Sequence, residues 1–414
     1  MCWMGEGINP NMKMQCAVAV SLEAETRAAM VDLCEKAAES LSGTSADLAL
    51  LFFSNHHAEH IADVVPYLRN RLNPQVLLGC SCHGIIGGAK EIETTPGMCL
   101  WLAHLPRTHL VPFHLTFERK SDRVTVAGWP KEMPGYDRSS DSPTTILFAD
   151  PYSTPATELF TFLSNRFPGA PAVGGMVSSG HAPGKNRLLF NDHVVTSGTV
   201  GVTMMGAVKI CTVVSQGCRP IGERFIITKA KGNMIHELGG SSALDRLQEL
   251  FEGLNQHDQQ QARTKTMVGY AMDEYKQELG RGDFLIRGLV GVDRPSGSIS
   301  LGDVVKEGQT VQFHLRDEKT ASEDLNLLLA GVKGQLSGIE VNGALLFSCT
   351  GRGQRFFGRP HHDVSSLRER IGDVPVGGFF AAGEIGLVGS MNFLHGYAAS
   401  VALFCQAPDI PSNL

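Results

Sequence analysis

The stretch GALLFSCTGRG, residues 343–353, runs from an apolar segment into Ser348, Cys349, Thr350, Gly351, Arg352 and Gly353. A tight turn needs only the glycines. The thiol of Cys349 can act as a nucleophile if a base or cation lowers its pKa, and Arg352, His361 or His362 could do so after folding. It can equally line a ligand site or fill a core as a small buried residue. No base stands at a fixed spacing from it, so the sequence assigns no catalytic residue. Arg352 and Arg355 can clamp a carboxylate or phosphate, or lie solvated at the surface. Further along, Glu384 can receive a ligand ammonium, cap a helix or pair with an arginine. His395 can hydrogen-bond a ligand, satisfy a backbone carbonyl, or bind haem iron through a neutral ring nitrogen.

Phosphate and metal motifs fare less well. In GRGQRFFG the third glycine of a dinucleotide fingerprint is replaced by Phe356, and Arg359 and Pro360 stand where a P-loop needs Lys and Ser or Thr. His56, Glu59 and His60 match the H-x-x-E-H peptidase pattern, with the histidines expected on one helical face. The match is short, and the corresponding loops at DPYSTPATE and TGRGQRFFG carry no such ligands. Cys80, Cys82 and His83 offer soft ligands in C-x-C-H, but the paired C-x-x-C spacing of a zinc site is absent. Cys80 and His83 are therefore read as pocket wall, and no metal site is assigned.

The elements that must position these residues recur. LALLFFS (48–54), TTILFA (144–149) and GALLFS (343–348) are short apolar runs carrying a phenylalanine. Each is followed by a stretch with helical spacing, HAEHIADVVPYLRNRL, TPATELFTFLSNRF and HDVSSLRERI, and then by QVLLGCSCHGIIGG, PAVGGMVSSG or VPVGGFFAAGEIG. Strand, loop, helix, strand and glycine-rich turn is the order of a parallel crossover. The expected fold is α/β, with mixed β-sheets flanked by helices and two domains, 1–240 and 241–414, built from repeated β-α-β units. Ligands in such sheets lie beyond the carboxyl ends of the strands, where GALLFSCTGRG and GGFFAAGEIG both emerge. The polar segments 118–143 and 254–264 read as surface connections.

At 414 residues and 43% hydrophobic, the chain is long enough for two or three domains with cores. A formal charge of -6 gives no overall electrostatic reason for nucleic acid or an anionic membrane. No apolar run approaches a membrane span, and the N-terminal residues MCWMGEGINPNMKMQCAVAV read as no secretory signal. Ten scattered cysteines suit a reducing compartment, the cytoplasm.

Several segments, in order, resemble the FIST proteins, named for F-box and intracellular signal transduction. GCRPIGERFIITKAKGNMIHELGGSSALDRL (217–247) resembles the junction between the family's N-terminal and C-terminal domains. DFLIRGLVGVD, GDVVKEGQTVQFHLRD, FSCTGRG, GFFAAGEIG and NFLHGYAASVALF resemble successive parts of the C-terminal domain. FSCTGRG and GFFAAGEIG are similar to the branch found in F-box ubiquitin-ligase subunits, although no F-box is read ahead of residue 48. The resemblance implies a small-ligand sensory domain, for amino acids or their derivatives, with some bacterial members similar to haem-binding nitric oxide sensors. The expected protein binds a small, amino-acid-like molecule and works through a signalling or ubiquitin-ligase partner, with no cofactor assigned. Its alternatives are a haem-based gas sensor and a thiol-dependent enzyme using Cys349. The candidate ligand-binding residues are Cys349, Arg352, Glu384, His395, Cys80 and His83.

Overall fold

A strand that is apolar at every position must be covered on both faces, and Leu48–Ser54 is buried along its whole length. It runs parallel to Val76–Cys82, with the helix Ile61–Leu72 between them in sequence. Thr144–Ala149 and Ala172–Met176 form a second parallel pair around the helix Ala156–Arg166. Val341–Cys349 and Val376–Ala381 form a third around the helix His362–Ile371. The computed structural model describes residues 13–41, 44–121, 123–131, 143–280 and 282–406. It is a mixed α/β protein with several mixed sheets and, among the described residues, eight α-helices.

Each parallel pair is the centre of a larger sheet. The first sheet has the order Gln15–Ser21, Met98–His104, Leu48–Ser54, Val76–Cys82, Leu188–Phe190, His193–Val195. The second runs Arg123–Ala127, Thr108–Lys120, Thr199–Gly206, Thr144–Ala149, Ala172–Met176, Glu384–Val388, Met391–His395. The third runs Val208–Ser215, Ala399–Gln406, Val341–Cys349, Val376–Ala381, Ile85–Gly87, Lys90–Ile92. The hairpin that follows each parallel pair in sequence is thus given to a neighbouring sheet. The hairpin at 85–92 joins the third sheet, that at 188–195 the first, and that at 384–395 the second. The sheets consequently join residues from both sides of position 240.

The three sheets meet on their phenylalanines. The ring centroids of Phe52 and Phe148 are 5.3 Å apart, Phe52 and Phe347 6.3 Å, and Phe148 and Phe347 6.1 Å. Phe379 packs against all three. One glycine in each second strand makes the close pairing possible, because a Cβ on Gly79, Gly174 or Gly378 would collide with the carbonyl oxygen of Leu51, Leu147 or Leu346.

The remaining strands close a ring: Cys218–Lys231, Thr310–Arg316, Thr266–Ala271, Phe284–Asp293, Ser298–Leu301 and Met234–Leu238, which pairs back onto Cys218–Lys231. The segment read as a connection at 254–264 is largely the helix Gln256–Lys265, started by Asn255, whose side chain accepts the Asp258 N–H. Asparagine at an N-cap supplies the helix start that the polar composition hid. In the other segment, Thr108–Lys120 and Arg123–Ala127 pair as a hairpin, while 132–142 lies outside the described residues. Among the described residues no helix is long and apolar enough to cross a membrane.

Candidate functional site

Cys349 ends the central strand of the third sheet and opens onto a cavity of about 810 Å³. The helix Ala156–Arg166, the hairpin at 384–395 and the ring of strands enclose it. Phe160, Leu285, Phe393 and Tyr397 supply apolar wall. Arg287 and Asp303 supply charge, with Arg287 Nε donating to Asp303 Oδ2 at 2.8 Å. The pair is reachable from the cavity, since the Asp303 side chain is 44% exposed and that of Arg287 15%. Burial, and after it the Glu384 carboxyl, push the Cys349 thiol up to about 12. A protonated thiol is a poor nucleophile.

Arg352 does not line this cavity. It is fully buried, and its Nε and Nη2 donate to Asp363 Oδ2 and Oδ1 at 2.7 and 2.9 Å. The two-pronged geometry expected for a ligand carboxylate is thus used internally. Ser348 Oγ donates to the same carboxylate at 2.6 Å, and His362 Nδ1 lies 2.9 Å from it. Burial disfavours the Asp363 carboxylate, but Arg352 and His362 outweigh it and hold the carboxyl well below its usual range. Two glutamates from the hairpin region at 85–93 complete this face. Glu91 accepts the Val364 N–H at 2.9 Å in the first turn of His362–Ile371, and Glu93 accepts the Gln354 N–H at 2.8 Å. Gly353 has no side chain because a Cβ there would run into the Glu93 carboxylate. Most of GALLFSCTGRG therefore serves assembly, and only Cys349 and Thr350 face the cavity.

Glu384 also stands behind the cavity wall. It is fully buried beside Cys349; Oε2 accepts the Ala398 N–H at 2.9 Å and Oε1 has no hydrogen-bond partner. Burial pushes its carboxyl up to about 8. His395 borders the cavity, but its ring is turned into the protein, with Nε2 donating to the Gly386 carbonyl at 3.2 Å. Burial pushes its pKa down to about 4, with the Gly386 carbonyl acting the other way. A haem iron needs an open ring nitrogen. Nε2 is engaged and Nδ1 is closed off by burial, so the His395 ring, as folded, does not fit that group.

Cys80 is elsewhere, in the central core, where burial holds its thiol well above the usual range. His83 is exposed, and its backbone N–H donates to Ser178 Oγ. Neither borders the cavity at Cys349. The histidines of the H-x-x-E-H stretch do not share a helical face, since His56 lies in the short 3-10 turn Asn55–His57 and His60 precedes the helix Ile61–Leu72. Among the described residues no group of three His, Cys, Asp or Glu side chains is placed to hold a metal ion. Arg287, Asp303 and Phe160 were not legible as site residues, because they lie on separate elements and carry no local motif.

The buried groups predict a pH dependence. Glu91 is pushed up to about 8, by burial and then by Asp363, as Glu384 is by burial. The folded chain keeps protons that the unfolded chain releases above about pH 4.5, so this stabilisation is complete below that pH and lost as pH rises through 8. His314 and His395, both pushed down to about 4 by burial, contribute in the opposite sense. Their stabilisation is present above about pH 6.5 and lost as pH falls towards 4. The histidine and carboxyl trends oppose each other up to about pH 6.5; above it the two carboxyls are opposed only by Cys211, whose thiol is brought down to about 6 beside Cys405 and so gains stability as pH rises. Stability in urea should fall by about 1–2 kcal/mol between about pH 6.5 and 8, and Glu384→Gln should flatten the slope. A stability that is constant or rises over this range contradicts the assignment.

A sequence profile of the FIST N domain matches residues 47–241 and one of the FIST C domain matches 243–387. The uncharacterized protein Rv0628c of Mycobacterium tuberculosis (strain ATCC 25618 / H37Rv) is 41% identical over 391 residues, 94% of this chain and 100% of its own length. The uncharacterized protein Mb0898c of Mycobacterium bovis is 40% identical over 392 residues, 94% of this chain and 99% of its own length. A shorter similarity, 36% over 88 residues, covers 20% of this chain and 17% of the F-box/LRR-repeat protein At5g63520 of Arabidopsis thaliana. FIST domains as a class are sensory domains of signal transduction. This chain belongs to the FIST family.

Proposed function

We propose that this chain is a cytoplasmic sensor that binds a small, amino-acid-like metabolite in the cavity at Cys349 and signals through a partner protein. The supporting observation is the Arg287–Asp303 pair set in an otherwise largely apolar wall. A zwitterion answers both charges, with its carboxylate on Arg287 and its ammonium on Asp303, while an apolar side chain meets Phe160, Leu285 and Tyr397. Cys349 and Thr350 form part of the lining; Arg352 and Glu384 support the wall from behind. The high pKa of the thiol weighs against the thiol-dependent enzyme, and the engaged ring of His395 weighs against the haem sensor. A ubiquitin-ligase partner draws support only from the short similarity to the Arabidopsis F-box protein.

The three crossovers are, in this reading, copies of one β-α-β unit, distributed over a 1–240 and a 241–414 domain that exchange hairpins. The cavity lies where the hairpin at 384–395 meets the helix of the middle copy. A ligand there can bias the contact between the two halves, and a partner that reads this contact would receive the signal.

Native mass spectrometry of the purified chain, followed by denaturing release and calorimetric titration with zwitterionic amino acids, tests the reading. Binding should be saturable, should protect Cys349 from a small alkylating reagent, and should weaken about 10- to 150-fold in Arg287→Met, the loss of one charge-assisted contact. Absence of saturable binding, or binding unchanged in both Arg287→Met and Asp303→Asn, would reject the site.

A further inference from the structure

The strand Val208–Ser215 lies antiparallel to Ala399–Gln406, with Lys209 opposite Cys405 and Cys211 opposite Leu403. Residues opposite each other share a face of a sheet, and so do residues two apart on one strand. Cys211 and Cys405 are therefore diagonal neighbours on one face. Both pack into the apolar cluster that includes Leu325 and Leu329 of the helix Glu318–Gln335, with Val213 and Leu403 beside them. Cys211 is partly exposed and Cys405 is buried.

We propose that Cys211 and Cys405 form a peroxide-sensing thiol pair that closes to a reversible disulfide. Register and packing set the two thiols side by side, and the neighbouring Cys405 thiol, opposed by burial and assisted by Lys209, brings Cys211 down to about 6, while Cys405 Sγ donates to the Leu403 carbonyl at 3.8 Å. Cys405, held high chiefly by the neighbouring Cys211 thiol, keeps its proton. The Cys211 thiolate attacks one peroxide oxygen, the O–O bond breaks, and the other oxygen leaves with a proton as water or an alcohol. The resulting sulfenic acid at Cys211 is attacked by Cys405 sulfur, which loses its proton as the S–O bond breaks and water leaves. In sum two thiols and one peroxide give one disulfide and two hydroxylic products. Cys16 packs on the other face of this sheet, against the central core, and takes no part. The disulfide would fasten the strand that leads out of the N-terminal half onto the last described strand of the C-terminal half, independently of any ligand at Cys349.

The test is hydrogen peroxide added to the full chain, followed by non-reducing peptide mapping. A peptide pair joining Cys211 to Cys405 should appear with the loss of two hydrogen atoms and disappear with dithiothreitol. Cys405→Ser should stop the reaction at a dimedone-trapped sulfenic acid on Cys211, whereas Cys16→Ser should leave the linked pair unchanged. If Cys211→Ser fails to fold, the wild-type map still decides. Recovery of other linkages, or a Cys211 that oxidises no faster than buried Cys34, overturns the proposal.

Discussion

Residues 1–240 expressed alone are expected to be unfolded or aggregated, with no cooperative thermal transition, and co-expression with 241–414 should restore a soluble complex. The hairpin at 85–92 finds its partner strand only at Val376–Ala381, and Ala172–Met176 pairs on one side with Glu384–Val388. Cutting at 240 exposes both edges, and open sheet edges promote aggregation. It also removes Phe347 and Phe379 from the shared aromatic cluster. Each large buried aromatic lost from a core costs about 3–5 kcal/mol, against a total stability of about 5–15 kcal/mol for a typical domain. A soluble 1–240 fragment with a sharp melt and well-dispersed NMR signals would show that the exchanged hairpins are dispensable.

Asp363→Ala is expected to destabilise the chain by about 3–5 kcal/mol in urea, because it strands a buried guanidinium that has lost both of its charge-assisted bonds. Arg352 is fully buried and its Nη1 already lacks a hydrogen-bond partner, and the Glu384 carboxyl, which also acts on it, makes no hydrogen bond to it in the folded chain. Gly217 lies against Arg352 Nη1, where a Cβ would stand 3.0 Å from it. Replacing both members, as Arg352→Met with Asp363→Leu, should recover a large part of the loss, since apolar groups of similar volume fill the site without an unpaired charge. Equal destabilisation by the single and double changes would mean that shape, rather than the charge pair, holds this corner. Ligand affinity in variants that remain folded should change little, as neither side chain borders the cavity.

Secondary structure was largely legible. The helices Ile61–Leu72, Ala156–Arg166 and His362–Ile371 fall within stretches whose spacing predicts them, and the runs carrying Phe52, Phe148 and Phe347 are buried strands. Helical spacing and continuous apolar runs are local properties, and a single chain displays them. The rim position of Cys349 was legible for the same reason, because a parallel crossover fixes which end of a strand carries the loops. The polar stretch 254–264 was misread because its helix packs few apolar residues and is declared mainly by its cap.

The sequence by itself determined the family, the α/β class and the run of strands and helices, each of which is written within a few tens of residues. Tertiary structure alone decided that each hairpin leaves its own crossover for a neighbouring sheet, since the backbone hydrogen bonds of an edge carry no address and only side-chain packing selects the partner. It alone decided that Arg352 spends its charge on Asp363, that Glu384 and His395 turn inward, and that Arg287 and Asp303 face a cavity with Cys349. A charged side chain declares its chemistry in the sequence, but its partner and its access to solvent depend on the elements folded around it.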